Sequence, residues 1–160
     1  MYRRALPHWR IEGAIYFVTW RLAVDQPVLS AKERTIVRDA LVFADGKSFI
    51  LFAYVVMDHH VHLLVQPRIP LEKVIHSWKS YTTRVLQQQR DRALGGRIWQ
   101  TEYYARIVRS AADLVVKTRY ILENPLRRWP NAGRYEWVWA LGYTESEASA
   151  WFCPDGPLHE

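Results

Sequence analysis

The sequence has little that would support a disulfide-bonded, membrane-spanning or disordered protein. Cys153 is the single cysteine, so an internal disulfide and a cysteine-based zinc cage are both excluded. No stretch approaches the roughly 20 apolar residues that a transmembrane helix needs, and the N-terminal MYRRALPHWRIEG has no long apolar segment. Hydrophobic residues make up 49% of the chain, too many for a disordered protein. We therefore expect a soluble, cytoplasmic protein of 160 residues with one compact core.

Basic residues are concentrated in the middle of the chain. The net charge is +2 over residues 1–67, +9 over residues 68–134 and −5 over residues 135–160. Arginine accounts for 17 of the 22 basic residues, and its planar guanidinium suits phosphate oxygens and stacks on bases. The middle segment is therefore predicted to bind an anionic partner.

The hydrophobic pattern predicts a β-α-β-β-α-β order followed by an extra helix. Strands are expected at residues 14–23, 48–57, 60–67 and 103–109, and helices at 30–46, from Leu71 to the glycines at 95 and 96, and at 110–125. Ser30 with Glu33, and Ser110 with Asp113, have the spacing of helix capping pairs, and Pro125 is expected to end its helix. This order is typical of an α+β, ferredoxin-like fold, an antiparallel sheet with helices on one face.

Three histidines interrupt the apolar run YVVMDHHVHLLV at residues 54–65. Side chains alternate along a strand, so His60 and His62 lie on one face and Val61 and Leu63 on the other. If helices cover only the apolar face, the two imidazoles are open to solvent and can converge on one cation. The pair alone is a weak signal, and a structural or surface role is the commoner one for two such histidines.

The segment RYILENP at residues 119–125 adds a second group of polar side chains. Tyr120 and Asn124 are one helical turn apart on the more polar side of the predicted helix. An amide oxygen can coordinate a metal ion, and a tyrosine hydroxyl can act as a nucleophile. The alternative is a half-buried tyrosine whose hydroxyl is hydrogen-bonded, which is common in helices.

Together these segments resemble the HUH single-strand DNA endonucleases, in which two histidines flank an apolar residue on a central strand and a later helix carries a tyrosine. The stretches VVMDHHVHLLV, WKSYTTR, IWQTEYYARIVRSAADL and RYILENP narrow the resemblance to the REP-associated tyrosine transposases. It extends from about Ile15 to Arg128. The family pattern commonly has Pro-Asn before the histidine motif, where this chain has Asp58 and His59.

The resemblance implies that His60, His62 and Asn124 bind a divalent metal, Mg²⁺ or Mn²⁺, and that Tyr120, on a C-terminal catalytic helix, is the nucleophile. The tyrosine would form a 5′-phosphotyrosine link and release a 3′-OH, without a nucleotide cofactor. A phenol is a weak nucleophile near neutral pH, so a cation that offsets charge on the phosphate makes chemical sense. The implied substrate is single-stranded DNA carrying a short hairpin of the REP-palindrome type, cut beside its foot and transferred.

The departure at residues 58 and 59 leaves two roles open. Asp58 either orients an imidazole through its second ring nitrogen or caps the turn, and the turn is the favoured interpretation. Strand alternation points His59 away from His60 and His62, although a twist of the hairpin would turn it back and allow it to replace one of the two as a ligand. Tyr103 and Tyr104 are rival nucleophiles, although neither has an adjacent amide on a helix.

The candidate phosphate contacts lie in the basic middle of the chain. They are Arg84, Arg90, Arg92, Arg97, Arg106 and Arg109. We divide the chain into a transposase domain at residues 1–134 and an acidic, aromatic tail at residues 135–160. The tail is expected either to pack Trp137, Trp139 or Trp151 on the domain or to compete with DNA for the basic surface.

Two other functions are alternatives to the cutting and transfer of DNA. A catalytically inactive relative would bind hairpin DNA without cutting, although the intact set of His60, His62, Tyr120 and Asn124 argues against it. A ferredoxin-like RNA-binding module would need stacking aromatics on an open sheet face. We expect a monomer, with a dimer as the alternative, and no association with a membrane.

Overall fold

A computed structural model describes residues 13–90, 96–131 and 133–152 of the chain. These residues form five strands and four helices in the following order: β1 (Ile15–Arg21), α1 (Ala31–Phe43), β2 (Phe49–Val56), β3 (His60–Pro67), α2 (Leu71–Gln89), β4 (Tyr104–Val108), α3 (Ala111–Arg128), β5 (Val138–Ala140) and α4 (Glu145–Trp151). The predicted order of the first seven elements is confirmed. β5 and α4 were not predicted.

The strands form one antiparallel sheet in the order β4-β1-β3-β2-β5. The first four strands have the arrangement expected of a split β-α-β fold, so the α+β, ferredoxin-like prediction is confirmed. β3 lies at the centre, with β1 and β2 as its neighbours. Both sides of its backbone are therefore hydrogen-bonded, which fixes the direction of every side chain on it.

Each face of the sheet is covered by its own pair of helices. On one face Val61, Leu63 and Val65 pack with residues of α1 and α2, including Trp78. On the other face Leu64 packs with residues of α3 and α4. The expectation that the histidine face is open is therefore wrong, because α3 lies across that face.

Local capping explains where two of the helices begin. The Ser30 side chain accepts a hydrogen bond from the Glu33 backbone N–H while the Glu33 carboxylate accepts one from the Ser30 backbone, as predicted. The Ser110 hydroxyl accepts a hydrogen bond from the Asp113 backbone N–H at the start of α3. Both helices thus begin within one residue of the predicted position.

The predicted end of α3 at Pro125 is wrong. The helix continues through Pro125 to Arg128, and the backbone N–H of Trp129 still donates to the Pro125 carbonyl at 2.8 Å. Proline removes one helical hydrogen bond, but tertiary packing offsets that loss because Pro125 is buried. The extra turn brings Arg127 and Arg128 onto the helix that carries Tyr120.

Residues 137–152 pack on the sheet that the preceding chain forms. β5 pairs with β2, and the Trp151 ring makes an edge contact with Phe52 at 5.6 Å between centroids. Trp139 stacks on Tyr54, with the centroids 6.0 Å apart. Packing of the tail tryptophans is therefore confirmed, whereas competition with DNA and the functional division at residue 134 stay predictions. Residues 153–160 lie outside the described ranges.

Within the described residues, none of the helices is long and apolar enough to cross a membrane.

Candidate active site

The two histidines of β3 lie beneath α3. His60 and His62 are only 7% and 5% exposed, and their ring centroids are 4.5 Å apart. Strand alternation places them on one face, as predicted, and α3 then encloses them. The enclosure matters because imidazoles shielded from water are held in place and keep few competing solvent contacts.

Asn124 reaches the same point from α3. Its Oδ1 lies 3.2 Å from His60 Nε2, and the Asn124 side chain is itself buried. An amide and an imidazole from two distant parts of the sequence thus meet in one place. The structure brings together His60, His62 and Asn124, the three residues expected to bind metal.

Tyr120 lies one turn before Asn124 and faces the second histidine. Its ring centroid is 5.3 Å from that of His62 and 6.0 Å from that of Phe17. Phe17 in turn stacks on His62 at 5.5 Å. No side chain or backbone group of the described residues is hydrogen-bonded to the Tyr120 hydroxyl. The choice between a structural and a reactive Tyr120 stays a prediction.

Both imidazoles are neutral at physiological pH. Burial, together with the nearby His59 ring, lowers the pKa of His60 to about 4. Burial and the neighbouring His60 ring lower the pKa of His62 to about 3. A neutral imidazole has a free lone pair, which is the form that binds a metal ion.

The residues present fit a divalent cation. Two neutral imidazoles and an amide oxygen form a mixed nitrogen and oxygen donor set of the type that Mn²⁺ accepts. The described residues contain no group of three or more histidine, cysteine, aspartate or glutamate side chains arranged to hold a metal. The Asn124 amide would therefore supply a third protein ligand beside the two histidines.

Thr19 fixes the orientation of His62. The Thr19 hydroxyl oxygen lies 2.6 Å from His62 Nδ1, and the two residues are direct partners across β1 and β3. A hydroxyl on Nδ1 leaves Nε2 as the nitrogen available to a ligand. Sequence reasoning missed Thr19, since only the strand register shows which β1 residue lies beside His62.

Asp58 and His59 are both drawn into the site. His59 Nδ1 lies 2.7 Å from Asp58 Oδ1, and His59 Nε2 lies 3.1 Å from His60 Nδ1. The prediction that His59 points away from His60 is wrong, because His59 precedes β3 and is not bound by strand alternation. The other oxygen of Asp58, Oδ2, accepts a hydrogen bond from Arg128 at 2.9 Å, and the turn-capping role favoured for Asp58 stays a prediction.

Two cations of α3 flank the tyrosine. The guanidinium carbon of Arg127 is 4.6 Å from the Tyr120 ring centroid, and the Lys117 ammonium is 5.5 Å from that of Phe17. Positive charge beside a nucleophile favours an anionic substrate group there. Arg127 was missed because the helix was expected to end at Pro125.

The six candidate arginines have different environments. Arg106 on β4 pairs with Phe17, so its side chain lies on the Tyr120 face, where its guanidinium carbon is 5.6 Å from the Tyr104 ring centroid. Arg84 lies over Tyr81 on α2, on the opposite side of the sheet. Arg97 and Arg109 are exposed, and Arg92 lies outside the described residues.

Arg90 is not available for DNA. Its Nε and Nη2 atoms donate to the two carboxylate oxygens of Glu33, at 2.6 and 3.2 Å, and its Nη1 donates to Gln26. With its side chain only 8% exposed, Arg90 ties the end of α2 to the start of α1. We therefore remove it from the candidate phosphate contacts.

The rival tyrosines lie at the edge of the sheet. Tyr103 and Tyr104 are 40% and 49% exposed, and Tyr104 pairs with Thr19 on β1. Tyr104 therefore shares the face of His62, but Thr19 and its strand separate it from the histidines. Tyr120, whose ring contacts His62 directly, is the better-placed nucleophile.

Comparisons with known proteins identify a matching family and two similar folds. The model of the IS200-like transposase family matches residues 12–124. A solved structure of a REP-associated tyrosine transposase bound to a REP hairpin is 21% identical, with a TM-score of 0.61 over 93% of this chain and 96% of that one. A crystal structure of a candidate transposase from Deinococcus radiodurans R1 is 19% identical, with a TM-score of 0.52 over 77% of this chain and 97% of that one. No curated protein matches the sequence significantly.

Proposed function

Because the chain belongs to the IS200-like transposase family, we propose that it is a metal-dependent endonuclease and strand transferase for single-stranded DNA. One observation carries the proposal. The Tyr120 ring lies 5.3 Å from that of His62, on the same helix as the Asn124 amide that contacts His60. A nucleophile and a neutral set of metal ligands thus share one enclosed surface, as metal-assisted phosphoryl transfer requires.

In the proposed reaction the Tyr120 oxygen attacks the phosphorus of one phosphodiester. The phenol proton of Tyr120 passes to water, the bond to O3′ breaks, the leaving 3′ oxygen takes a proton from water, and the 5′ phosphate stays on the tyrosine. A divalent ion held by His60, His62 and Asn124 would offset charge on the phosphate oxygens. Since the bond energy is kept in the phosphotyrosine, a 3′-OH can later attack it and rejoin the strands.

Cationic side chains provide the approach for the DNA strand. Arg127 and Lys117 lie beside Tyr120 and Phe17, and Arg106 lies over Tyr104 on the same face of the sheet. A row of cations and aromatic rings suits a single strand, whose phosphates need charge and whose unpaired bases stack. We place the strand along this row, from the β4 edge to the tyrosine.

The proposed partner is DNA with a hairpin of the REP-palindrome type. The similar solved structure is of a transposase bound to such a hairpin, and similarity to it covers almost the whole chain. The net charge of +9 over residues 68–134 favours a polyanionic partner. We further propose that the protein acts in the cytoplasm as a monomer.

The decisive experiment is detection of a covalent protein–DNA product. Labelled single-stranded DNAs with and without a hairpin are incubated with the protein and Mn²⁺ or EDTA, and denaturing gels are read for a shifted band. We expect an adduct on hairpin DNA that requires the metal and disappears in Tyr120→Phe. Tyr104→Phe is the matched control, and it keeps the adduct.

Each other outcome has a defined meaning. An adduct that persists in Tyr120→Phe but not in Tyr104→Phe would move the chemistry to the sheet edge. Tight binding of hairpin DNA without any adduct, in any divalent metal, would replace the nickase with a non-cutting binder. Adduct formation in EDTA would remove the metal from the proposal.

A further inference from the structure

We propose that Arg128, Asp58 and His59 form a positioning chain that selects the tautomer of His60 and thereby prepares its Nε2 atom for a metal ion. The inference rests on the proposed function, since it takes His60 as a metal ligand. It assigns a role to two residues, Asp58 and His59, that stand where the resembling family commonly has Pro-Asn. These three residues are positioning residues and do not contact the reacting atoms.

The positioning chain runs through continuous side-chain contacts from Arg128 on α3 to His60. Arg128 Nη2 donates to Asp58 Oδ2 at 2.9 Å, and Asp58 Oδ1 lies 2.7 Å from His59 Nδ1. His59 Nε2 lies 3.1 Å from His60 Nδ1, and His60 Nε2 lies 3.2 Å from Asn124 Oδ1. The three contacts that join Arg128, Asp58, His59 and His60 are within hydrogen-bonding distance, so a constraint at Arg128 passes to His60.

The Asp58 carboxylate determines which ring nitrogen of His59, and then of His60, carries the proton. The carboxylate of Asp58 only accepts hydrogen bonds, so the proton of a neutral His59 is on Nδ1. His59 Nε2 is then an acceptor, and the proton of His60 is on Nδ1. His60 Nε2 is left with a free lone pair that faces the Asn124 oxygen, which also carries lone pairs. A cation near these two atoms would satisfy both of them.

The Asp58 side chain is only 6% exposed. A buried carboxylate is costly unless it is paired. The Arg128 guanidinium, whose Nη2 lies 2.9 Å from Asp58 Oδ2, is that partner, and a carboxylate paired in this way only accepts hydrogen bonds.

The positioning chain contacts α3 at both of its ends. Arg128 and Asn124 lie one turn apart on α3, and they contact the two ends of the Asp58–His59–His60 series. The helix that carries Tyr120 is thereby held against the turn between β2 and β3. The last turn of α3, which continues past Pro125, is needed for this closure.

Asp58→Asn makes the sharpest test because it changes the hydrogen-bonding pattern with little change in shape. Arg128 only donates, so the new amide would present its oxygen to Arg128 and its NH₂ to His59. His59 Nδ1 would then accept, its proton would move to Nε2, and that N–H would donate to His60 Nδ1. His60 would carry its own proton on Nε2, the atom that the metal needs.

The measurement uses the intact chain labelled with ¹⁵N at histidine, without DNA and without metal, at about pH 8, where histidine is ordinarily neutral. Ring ¹⁵N chemical shifts identify which nitrogen of His60 is protonated. Titration with Mn²⁺ then gives the metal affinity. We expect Nδ1–H in the wild type, Nε2–H in Asp58→Asn, and an affinity roughly tenfold to a hundredfold lower in that variant.

Two further variants separate positioning from stability. Arg128→Lys keeps a donor to Asp58, and we expect it to retain the wild-type tautomer and Mn²⁺ affinity. Asp39→Asn alters a carboxylate that is 64% exposed and paired with Arg38, and it should change neither property. Thermal unfolding of each variant reports any loss of stability separately.

A wild type in which His60 carries its proton on Nε2 would overturn the inference, whatever the folding of the variants. So would a folded Asp58→Asn protein with unchanged tautomer and Mn²⁺ affinity. Neither readout involves DNA. A protein with the expected tautomer and metal affinity that forms no covalent adduct would contradict the proposed function and leave the positioning chain intact.

Discussion

The guanidinium carbon of Arg127 lies 4.6 Å from the centroid of the Tyr120 ring, two turns further along α3. A cation in this position attracts the face of the ring and a phosphate that approaches the hydroxyl. Arg127 also has a long contact with Glu123, at 3.8 Å, but both side chains are about half exposed. That pair contributes little, so Arg127 is free to turn toward a substrate.

Arg127→Ala should slow formation of the covalent adduct about tenfold, which corresponds to about 1.4 kcal/mol of transition-state stabilisation. The reason is the loss of positive charge beside the phosphate under attack. Single-turnover rates on hairpin DNA give the effect, and Arg127→Lys, which keeps the charge, should recover part of the rate. An alanine variant as fast as the wild type would show that Arg127 has no part in the reaction.

Thr19→Val should weaken Mn²⁺ binding roughly tenfold, because the Thr19 hydroxyl that lies 2.6 Å from His62 Nδ1 is lost. Valine has nearly the shape of threonine and suits a strand, so the fold should change little. Mn²⁺ titration of the DNA-free protein is the measurement. Thr19→Ser keeps the hydroxyl and serves as the control; equal affinities in the serine and valine variants would contradict the prediction.

Arg90→Ala should destabilise the fold by about 2 kcal/mol, because the partly buried Glu33 carboxylate loses charged hydrogen bonds. Denaturant unfolding measures the loss. At temperatures where the variant is folded, its affinity for single-stranded DNA should equal that of the wild type. A weaker affinity of the folded variant would return Arg90 to the DNA surface.

The Arg90 effect should depend on pH. Burial alone would raise the pKa of Glu33, but its hydrogen bonds to Arg90 outweigh burial and lower the pKa below 4.5. A lowered folded-state pKa contributes stability that is present above the ordinary pKa and is lost as the pH falls through the folded value. The difference in unfolding free energy between wild type and Arg90→Ala should therefore shrink below pH 4.5. A difference that grows in acid would contradict the ion pair.

Arg106→Ala should reduce the salt dependence of DNA binding with no loss of stability. Removing one phosphate contact to a single strand lowers the slope of log affinity against log salt by about 0.7. Binding titrations at several salt concentrations give the slope. Arg84→Ala is the matched control, since Arg84 lies on the opposite side of the sheet from Tyr120. Equal slopes for the two variants would contradict the proposed path of the strand.

Trp151→Ala should lower the free energy of unfolding by about 3 kcal/mol, because Trp151 packs on the buried Phe52 ring. Phe43→Ala is the control, since the Phe43 side chain is 88% exposed and its loss should cost little. If the tail competes with DNA, deletion of residues 144–160 should raise cleavage at low salt, but that deletion also removes α4 and its contact with Phe52. Truncation after Phe152 tests competition by the acidic end without exposing Phe52.

Regular elements could be predicted because short-range rules decide them. The alternation in HVHLLVQP predicted β3 with the bounds that the structure has, and the Ser30–Glu33 pair predicted the start of α1. Where a local rule and tertiary packing disagree, packing prevailed. Pro125 usually ends a helix, but in α3 it is buried and the helix continues to Arg128.

The candidate site divides in the same way. Two pairs could be predicted to share a face, because each pair lies on one element with a fixed repeat: His60 with His62, and Tyr120 with Asn124. Thr19 and Arg127 were not predicted, although each contacts a residue of the site. The contact of Thr19 with His62 depends on the register of β1 against β3, which a local sequence pattern does not predict.

The sequence by itself determined the order of the first seven elements, the face on which the histidines lie and the turn that separates Tyr120 from Asn124. Periodicity and capping act within a few residues, so they are visible in the chain alone. Only the tertiary structure decided that α3 covers the histidines, that Asp58 and His59 turn back to His60, and that Arg90 pairs with Glu33. The contacts of α3 with the histidines and of Arg90 with Glu33 join residues far apart in the sequence, and they form only when sheet register and helix packing bring the partners together. Asp58, His59 and His60 are neighbours in the sequence, but Arg128, which contacts Asp58, comes from α3.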